Sequence, residues 1–286
     1  MRLLRSSWLC AALTFFVLPI VSACVWAADV ASEDVITKHL QAIGSASARA
    51  IVKSRVVQSG ATYRILQGGS GAVDGKSVFA SEGQRTNLLL KINASGFRGE
   101  QFICDGNKTS VAGTYSDKTR SEFGNFVLAQ DVVLREGLLG GVWSVGWPLL
   151  DLESRKSKLH AEGIKKIDGK ELLALRYQPK KSTDLEISLY FDPLTYQHVM
   201  TIYKMEPETT MAGGETAQAG KSTRRYRIEE RFADFKTADG LTLPTHYEVR
   251  YTIEDESGFT KSIEWEVRAL SIVNNMSIDA RSFQVQ

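Results

Sequence analysis

Only one cysteine, Cys104, lies beyond residue 24, since Cys10 and Cys24 belong to the N-terminal segment. No intrachain disulfide can brace the body of the chain, so its fold rests on its core alone. Cys104 follows Phe102 and Ile103 in a strand-like stretch and reads as a small buried hydrophobe. Catalytic motifs are missing as well: there is no HExxH, no CxxC pair, no GxSxG and no phosphate-binding GxxxxGKS or GxxxxGKT. Gly68-Gly69-Ser70-Gly71 is not followed by a helical pattern and reads as a hairpin turn. The four histidines, His39, His160, His198 and His246, have no ligand spacing, so each is expected on a surface or strand face and no metal or cofactor is expected. Glu229-Glu230 point to opposite faces of a strand and Asp255-Glu256 sit at a turn, which leaves no acid–base pair.

Charge of one sign is also lacking. The chain has 35 Lys+Arg against 33 Asp+Glu, and the excess is Arg2 and Arg5 at the N-terminus. A balanced body has no electrostatic footprint for nucleic acid. The local basic stretch Lys221–Arg231 reads as a strand edge kept soluble by charge, because Glu229 and Glu230 lie within it.

What is present begins with Arg2 and Arg5, followed by an uncharged apolar run from Trp8 to Val21 and then small residues. A basic head, a short apolar middle and a small-residue end are the pattern of a secretory signal over residues 1–28. The run is shorter than the roughly 20 residues needed to cross a bilayer. Val21-Ser22-Ala23-Cys24 resembles a bacterial lipobox, which makes Cys24 a candidate for lipidation and tethering to the outer membrane. Val25-Trp26-Ala27 alternatively offers an ordinary cleavage site ending at Ala27 or Ala28. Export to a periplasm is expected.

Residues 29–286 read as one domain. Asp29–Ile43 has Val35, Ile36, Leu40 and Ile43 at helical spacing, with Ser32 as its N-cap and Gly44 as its end, and Ala46–Val57 reads as a further helical turn leading into a strand. From Val56 the period becomes two. Ile187, Leu189 and Phe191 alternate with Glu186, Ser188 and Tyr190; Tyr247, Val249, Tyr251 and Ile253 alternate with His246, Glu248, Arg250 and Thr252; Ile263, Trp265 and Val267 alternate with polar partners. These are antiparallel strands with one apolar and one wetted face. Asp74-Gly75, Asp105-Gly106, Asp168-Gly169, Asp239-Gly240 and Asp192-Pro193 read as the turns between strands. Ten or eleven strands in one meander must curl to protect the apolar face.

Two segments interrupt the strands. Glu206–Gly220 is rich in Gly, Ala and Thr and reads as a long hairpin loop. Phe123–Leu152 is apolar, is punctuated by Gly137, Gly140, Gly141, Gly146 and Pro148, and reads as one or two short helices lying over a β surface. Trp143 and Trp147, four apart, would share one side of a helix. A curled sheet under such a lid encloses a dry, concave pocket suited to a greasy ligand, with the glycines as hinges.

Leu189-Tyr190-Phe191-Asp192-Pro193-Leu194-Thr195-Tyr196 resembles the L-Y-F-D-P-x-T strand–turn–strand of the LolA/LolB superfamily of lipoprotein-localisation factors. Phe232-Ala233-Asp234-Phe235-Lys236, followed by Asp239-Gly240-Leu241-Thr242-Leu243-Pro244, resembles a hairpin of the same family, and Ile36–Gly44 is similar to its opening helix. The resemblance implies an unclosed antiparallel β-barrel, mainly β, with an N-terminal helix and an inserted α-helical lid at about 123–152 over an acyl-chain-binding concave face. This chain is longer than the transport chaperone and its lid is richer in glycine. Arg135 and Arg155 are the candidates for the arginine that opens and closes the chaperone's lid.

The expected ligand is a lipid or acylated lipoprotein. The expected contacts are Phe126, Val133, Leu138, Leu139, Trp143 and Trp147 from the lid and Tyr247, Val249, Tyr251 and Trp265 from the sheet. A non-catalytic monomeric carrier, open to peripheral membrane contact and to an envelope protein partner, is the leading reading. A periplasmic sensor or protein-interaction module on the same half-barrel is the alternative, and an envelope lipid- or glycan-modifying enzyme stands behind it.

Overall fold

The computed structural model describes residues 31–114, 119–206 and 224–285. The proposed signal, Cys10, Cys24 and nearly all of the Glu206–Gly220 loop lie outside the described residues. Helix α1 (Ser32–Ile43) buries Val35, His39 and Ile43, a four-residue spacing that puts all three on one face. Its N-cap is Ala31, so Ser32 stands inside the first turn and does not cap it. Gly44 ends the helix and bridges to Leu241. Helix α2 (Ala46–Ala50) follows, with Ser45 Oγ accepting from the Ala48 N–H as its cap.

Twelve strands, one or two more than the turn count suggests, make a single antiparallel sheet among the described residues. They are β1 (Ser54–Gln67), β2 (Ala72–Glu82), β3 (Arg85–Lys91), β4 (Glu100–Cys104), β5 (Thr109–Gly113), β6 (Lys158–Ile167), β7 (Lys170–Gln178), β8 (Glu186–Phe191), β9 (His198–Met205), β10 (Arg225–Ala238), β11 (Leu241–Glu254) and β12 (Thr260–Asn274). The sheet is not one meander. Its order, β5-β4-β3-β2-β1-β12-β11-β10-β9-β8-β7-β6, joins two meanders where β1 pairs with β12. β5 and β6 are left as its two edges, so the barrel is unclosed.

Asp168-Gly169 and Asp239-Gly240 are two-residue hairpin turns with both residues in the left-handed region (φ 49° and 79°, φ 53° and 73°), which suits the right-handed strand twist. Asp74-Gly75 is no turn: both residues lie inside β2. Glycine is needed there because a Cβ would sit 2.4 Å from the Lys91 carbonyl oxygen.

The lid is the connection from β5 to β6, so the chain must cross the open side of the barrel to pass from one edge to the other. It comprises α3 (Glu122–Ala129), α4 (Val132–Arg135) and α5 (Leu152–Arg155), with tight 3-10 turns at Gly141–Trp143 and Pro148–Leu150. The main core lies between this crossover and the concave face. A smaller cluster on the other face of β7–β9 takes in Leu172, Ala174, Tyr190, Met200 and Ile202. Tyr190 and Ser188 are therefore buried despite standing on the strand face that alternation marks as wetted.

Candidate functional site

The ten side chains singled out in the sequence meet in one contiguous cluster. Phe126, Val133, Leu138, Leu139, Trp143 and Trp147 come down from the lid; Tyr247, Val249, Tyr251 and Trp265 rise from β11 and β12, so the apolar face of those strands is the concave one. Under α3 the rings form a run. Phe97 lies 5.1 Å from Trp265, Trp265 lies 4.6 Å from Phe123, Phe123 lies 5.5 Å from Tyr251, and Phe126 lies between Tyr251 (5.7 Å) and Tyr226 (5.0 Å).

Trp143 and Trp147 do not share a helix. Trp143 ends one 3-10 turn and Trp147 precedes the next, with Ser144–Gly146 between them. Trp143 packs on Tyr247 at 5.1 Å and donates its indole N–H to the Pro244 carbonyl at 2.8 Å. Trp147 packs on His198 at 4.8 Å and donates to His39 Nε2 at 3.1 Å. The glycines allow the crossover to approach its neighbours closely. A Cβ on Gly140 (φ +80°) would meet the Phe79 ring at 2.8 Å, one on Gly141 (φ +51°) the Phe232 ring at 2.7 Å, and one on Gly146 the Gly83 carbonyl oxygen at 2.5 Å.

Backbone polar groups of this crossover are satisfied by buried side chains of the sheet. The Gly140 N–H donates to Glu230 Oε1 at 2.7 Å, and the Val145 N–H to Ser81 Oγ at 2.7 Å. Arg55 donates from Nη1 to the carbonyls of Val142 (2.7 Å) and Trp143 (3.2 Å). Within the lid, Arg155 donates to the Gly146 carbonyl at 2.7 Å. Of the two arginines considered from sequence, Arg155 ties the lid to itself, and Arg135 pairs with Asp131 one helical turn away. Neither bonds the sheet among the described residues. Arg55 does.

Arg55, Glu230, His39 and His198 are among the buried polar residues that the sequence reading missed. Glu230 is fully buried and accepts hydrogen bonds from Tyr203 (2.5 Å), Tyr247 (2.6 Å) and Gly140. Burial pushes its carboxyl up to about 7, and the three donors oppose that rise only in part. His39 and His198 are 1% and 0% exposed, not surface residues. Burial lowers His39 to about 4, against the hydrogen bond to the Tyr196 carbonyl, which raises it. His198 is driven down by burial and by neighbouring His39. With Nδ1 facing the Tyr196 carbonyl at 3.0 Å, His39 donates there and accepts from Trp147 at Nε2. A signal for Glu230 existed: Ile228, Glu230 and Phe232 share one strand face, so the acid is in register with the core.

At the rim, α3 and strands β9–β11 leave a cleft of about 320 Å³ whose apolar wall is Phe126, Ala129, Met205, Tyr226, Tyr251 and Ile253, with Glu122, Asn125, Gln130 and Arg224 forming the polar part of its lining. On the outer face, His246, Glu248 and Glu266 bring their ligand atoms within 4.8 Å of one another. Glu266 is also held by Arg64 and Arg268, so this cluster belongs to a charge-balanced network. Described cations of the basic stretch are paired in the same manner, Arg227 with Glu229 and Arg231 with Asp168 and Glu229. Cys104 is buried and its thiol is pushed up by burial.

No family model and no curated protein matches the chain. Among solved structures it is similar to the LolA superfamily protein NE2245 from Nitrosomonas europaea, at 12% identity over 89% of this chain and 98% of that one, with a TM-score of 0.45. It is also similar to an outer membrane lipoprotein-sorting protein domain from Vibrio parahaemolyticus, at 10% identity over 88% and 96%, TM-score 0.40. The MucA/MucB structure from Pseudomonas aeruginosa matches at 12% identity over 85% and 100%, TM-score 0.24.

Proposed function

We propose that the chain is an exported, non-catalytic carrier for the acyl chains of a lipid or an acylated lipoprotein, with residues 29–286 acting as one half-barrel domain. The observation that carries this reading is the rim cleft of about 320 Å³, whose apolar walls run on into the ring stack beneath α3. Affinity there needs no charged residue, since each buried methylene contributes about 0.8 kcal/mol. Phe126 and Tyr251 line the cleft directly. Val133, Leu138, Leu139, Trp143, Trp147, Tyr247, Val249 and Trp265 would meet a chain only after lid side chains withdraw from the concave face.

The basic head and apolar run at the N-terminus support export to a periplasm. Lipidation at Cys24 would make the protein an outer-membrane-tethered acceptor, and cleavage after Ala27 or Ala28 a soluble shuttle. The mass of the mature N-terminus distinguishes the two.

A protein-interaction or sensor module is the second reading. It is favoured by how completely the lid fills the concave face, with Trp143 and Trp147 both buried. Native mass spectrometry and lipid extraction of protein purified from its own envelope test the choice. A carrier should bring lipid with it and bind a hydrophobic fluorescent probe. Absence of both overturns the carrier, and a co-purifying protein without lipid supports the module.

A further inference from the structure

The two N-terminal helices, the start of β1 and the lid beyond Val142 enclose a second, narrower cleft, remote from α3. Two guanidinium groups line it, from Arg49 of α2 and Arg55 of β1. Arg55 is 4% exposed. No ion pair joins either group to a carboxylate among the described residues, in contrast to the paired arginines of the outer face. Their hydrogen bonds go to neutral acceptors: Arg49 Nη1 to the carbonyls of Leu40 and Gly44, Arg55 Nη1 to those of Val142 and Trp143, and Arg55 Nε to Asn274 Oδ1. Nη2 of each takes part in none of these bonds.

A buried positive charge without a counter-charge is costly, and carbonyl dipoles offset that cost only in part. Burial lowers Arg55 to about 10, so it remains charged at neutral pH. The field of Arg49 also reaches His39, where it disfavours a second positive charge. The free volume, about 30 Å³, holds about two water molecules and so the two oxygens of one carboxylate or phosphate edge. Planar, forked donors recognise such edges in bidentate fashion. Ile43, Val52, Val145 and Leu241 are among the apolar residues of the wall.

We propose that the Arg49–Arg55 cleft is an anion-binding site for a carboxylate- or phosphate-bearing group. The site is independent of the acyl-chain cleft beneath α3, and either can fail without the other. Its occupant is a free anion or the headgroup of an anionic lipid.

Titration calorimetry with inorganic phosphate and with acetate at matched ionic strength, and co-sedimentation with vesicles of phosphatidylglycerol against phosphatidylcholine, test it. Saturable binding of either small anion, or sedimentation with phosphatidylglycerol vesicles alone, is expected. Arg49→Gln should weaken that binding tenfold or more. Arg55→Lys should weaken it similarly by losing the fork while keeping the charge. Because Arg55 also holds the lid, Leu150→Glu at the exposed rim of the cleft provides a variant that spares those bonds, and its added negative charge should likewise reduce binding tenfold. Small-anion binding without vesicle binding identifies a soluble ligand, and vesicle binding lost in Arg49→Gln identifies a headgroup. No saturable binding by any of these probes, or binding unchanged in Arg49→Gln and Leu150→Glu, overturns the site.

Discussion

Trp147 of the lid donates its indole N–H to His39 Nε2 of the first helix at 3.1 Å, and His39 in turn donates from Nδ1 to the Tyr196 carbonyl at 3.0 Å. One neutral imidazole thereby links the N-terminal helix, the crossover and the β8–β9 turn. Tyr196 closes the L-Y-F-D-P-L-T-Y stretch, whose Asp192 Oδ1 accepts from the N–H groups of Leu194 and Thr195. That turn thus presents the carbonyl that holds His39 in the tautomer Trp147 requires.

Replacing Trp147 by Phe keeps a ring against His198 and leaves His39 Nε2 without its donor. We expect a loss of about 1–3 kcal/mol, the cost of an unsatisfied buried polar group. Urea unfolding checks this, and the midpoint should fall with an unchanged slope.

The same imidazole ties stability to acid. Its folded value of about 4 lies below the ordinary 6.5, so the unfolded chain binds the extra proton as pH falls through that window. Stability should therefore be fully present above about pH 6.5 and decline towards pH 4, by roughly 3 kcal/mol from His39 alone. His198, lowered in the same direction, adds to the decline. Comparing His39→Gln with the parent chain in urea at pH 7 and pH 5 tests this; an equal loss of stability in both on acidification would count against it.

Glu230 works in the opposite sense. Its carboxyl is raised to about 7, so the folded chain holds the proton more tightly, and that contribution is present below about pH 4.5 and lost as pH rises through 7. Glu230→Gln has no such proton to lose. Relative to the parent chain the variant should gain roughly 3 kcal/mol between pH 4.5 and pH 8, read as the difference between their thermal or urea midpoints across that range.

Two glycines separate close contact from mere flexibility. Gly146→Ala forces a Cβ against the Gly83 carbonyl and should cost about 1–3 kcal/mol, as overpacking does. Gly60→Ala in β1 meets nothing within 4 Å and should be neutral or stabilise by about 0.5–1 kcal/mol. Equal effects at both positions, measured by calorimetry, would remove the close-approach argument.

Met205→Glu tests the acyl-chain cleft. Met205 is half-buried at the cleft wall, so a carboxylate there should lower the affinity for a hydrophobic fluorescent probe about tenfold through the cost of desolvating charge. The melting temperature should change little.

Much of the concave face was legible from alternation. Tyr247, Val249 and Tyr251 on one strand, and Ile263, Trp265 and Val267 on the next, share a face because successive side chains point to opposite sides. What alternation cannot supply is long-range pairing. A hairpin turn announces its two neighbours, whereas the β1–β12 contact joins residues two hundred positions apart and leaves no local mark. The Trp143–Trp147 spacing misled for a related reason: Gly140 and Gly141, both at positive φ, turn the chain out of a helix before four-residue spacing can apply.

By itself, then, the chain's order of residues determined a curled, strand-rich sheet, the apolar sets that share a strand face, most of its turns and the crossover as an apolar lid. These follow from periodicity and backbone preference, which act over a few residues. Only the tertiary structure decided that the lid links the two free edges, that its glycines are points of contact, and that Arg55, Glu230, His39 and His198 lie inside. Burial is set by what packs above a strand face, and here that cover is a segment brought from elsewhere in the chain.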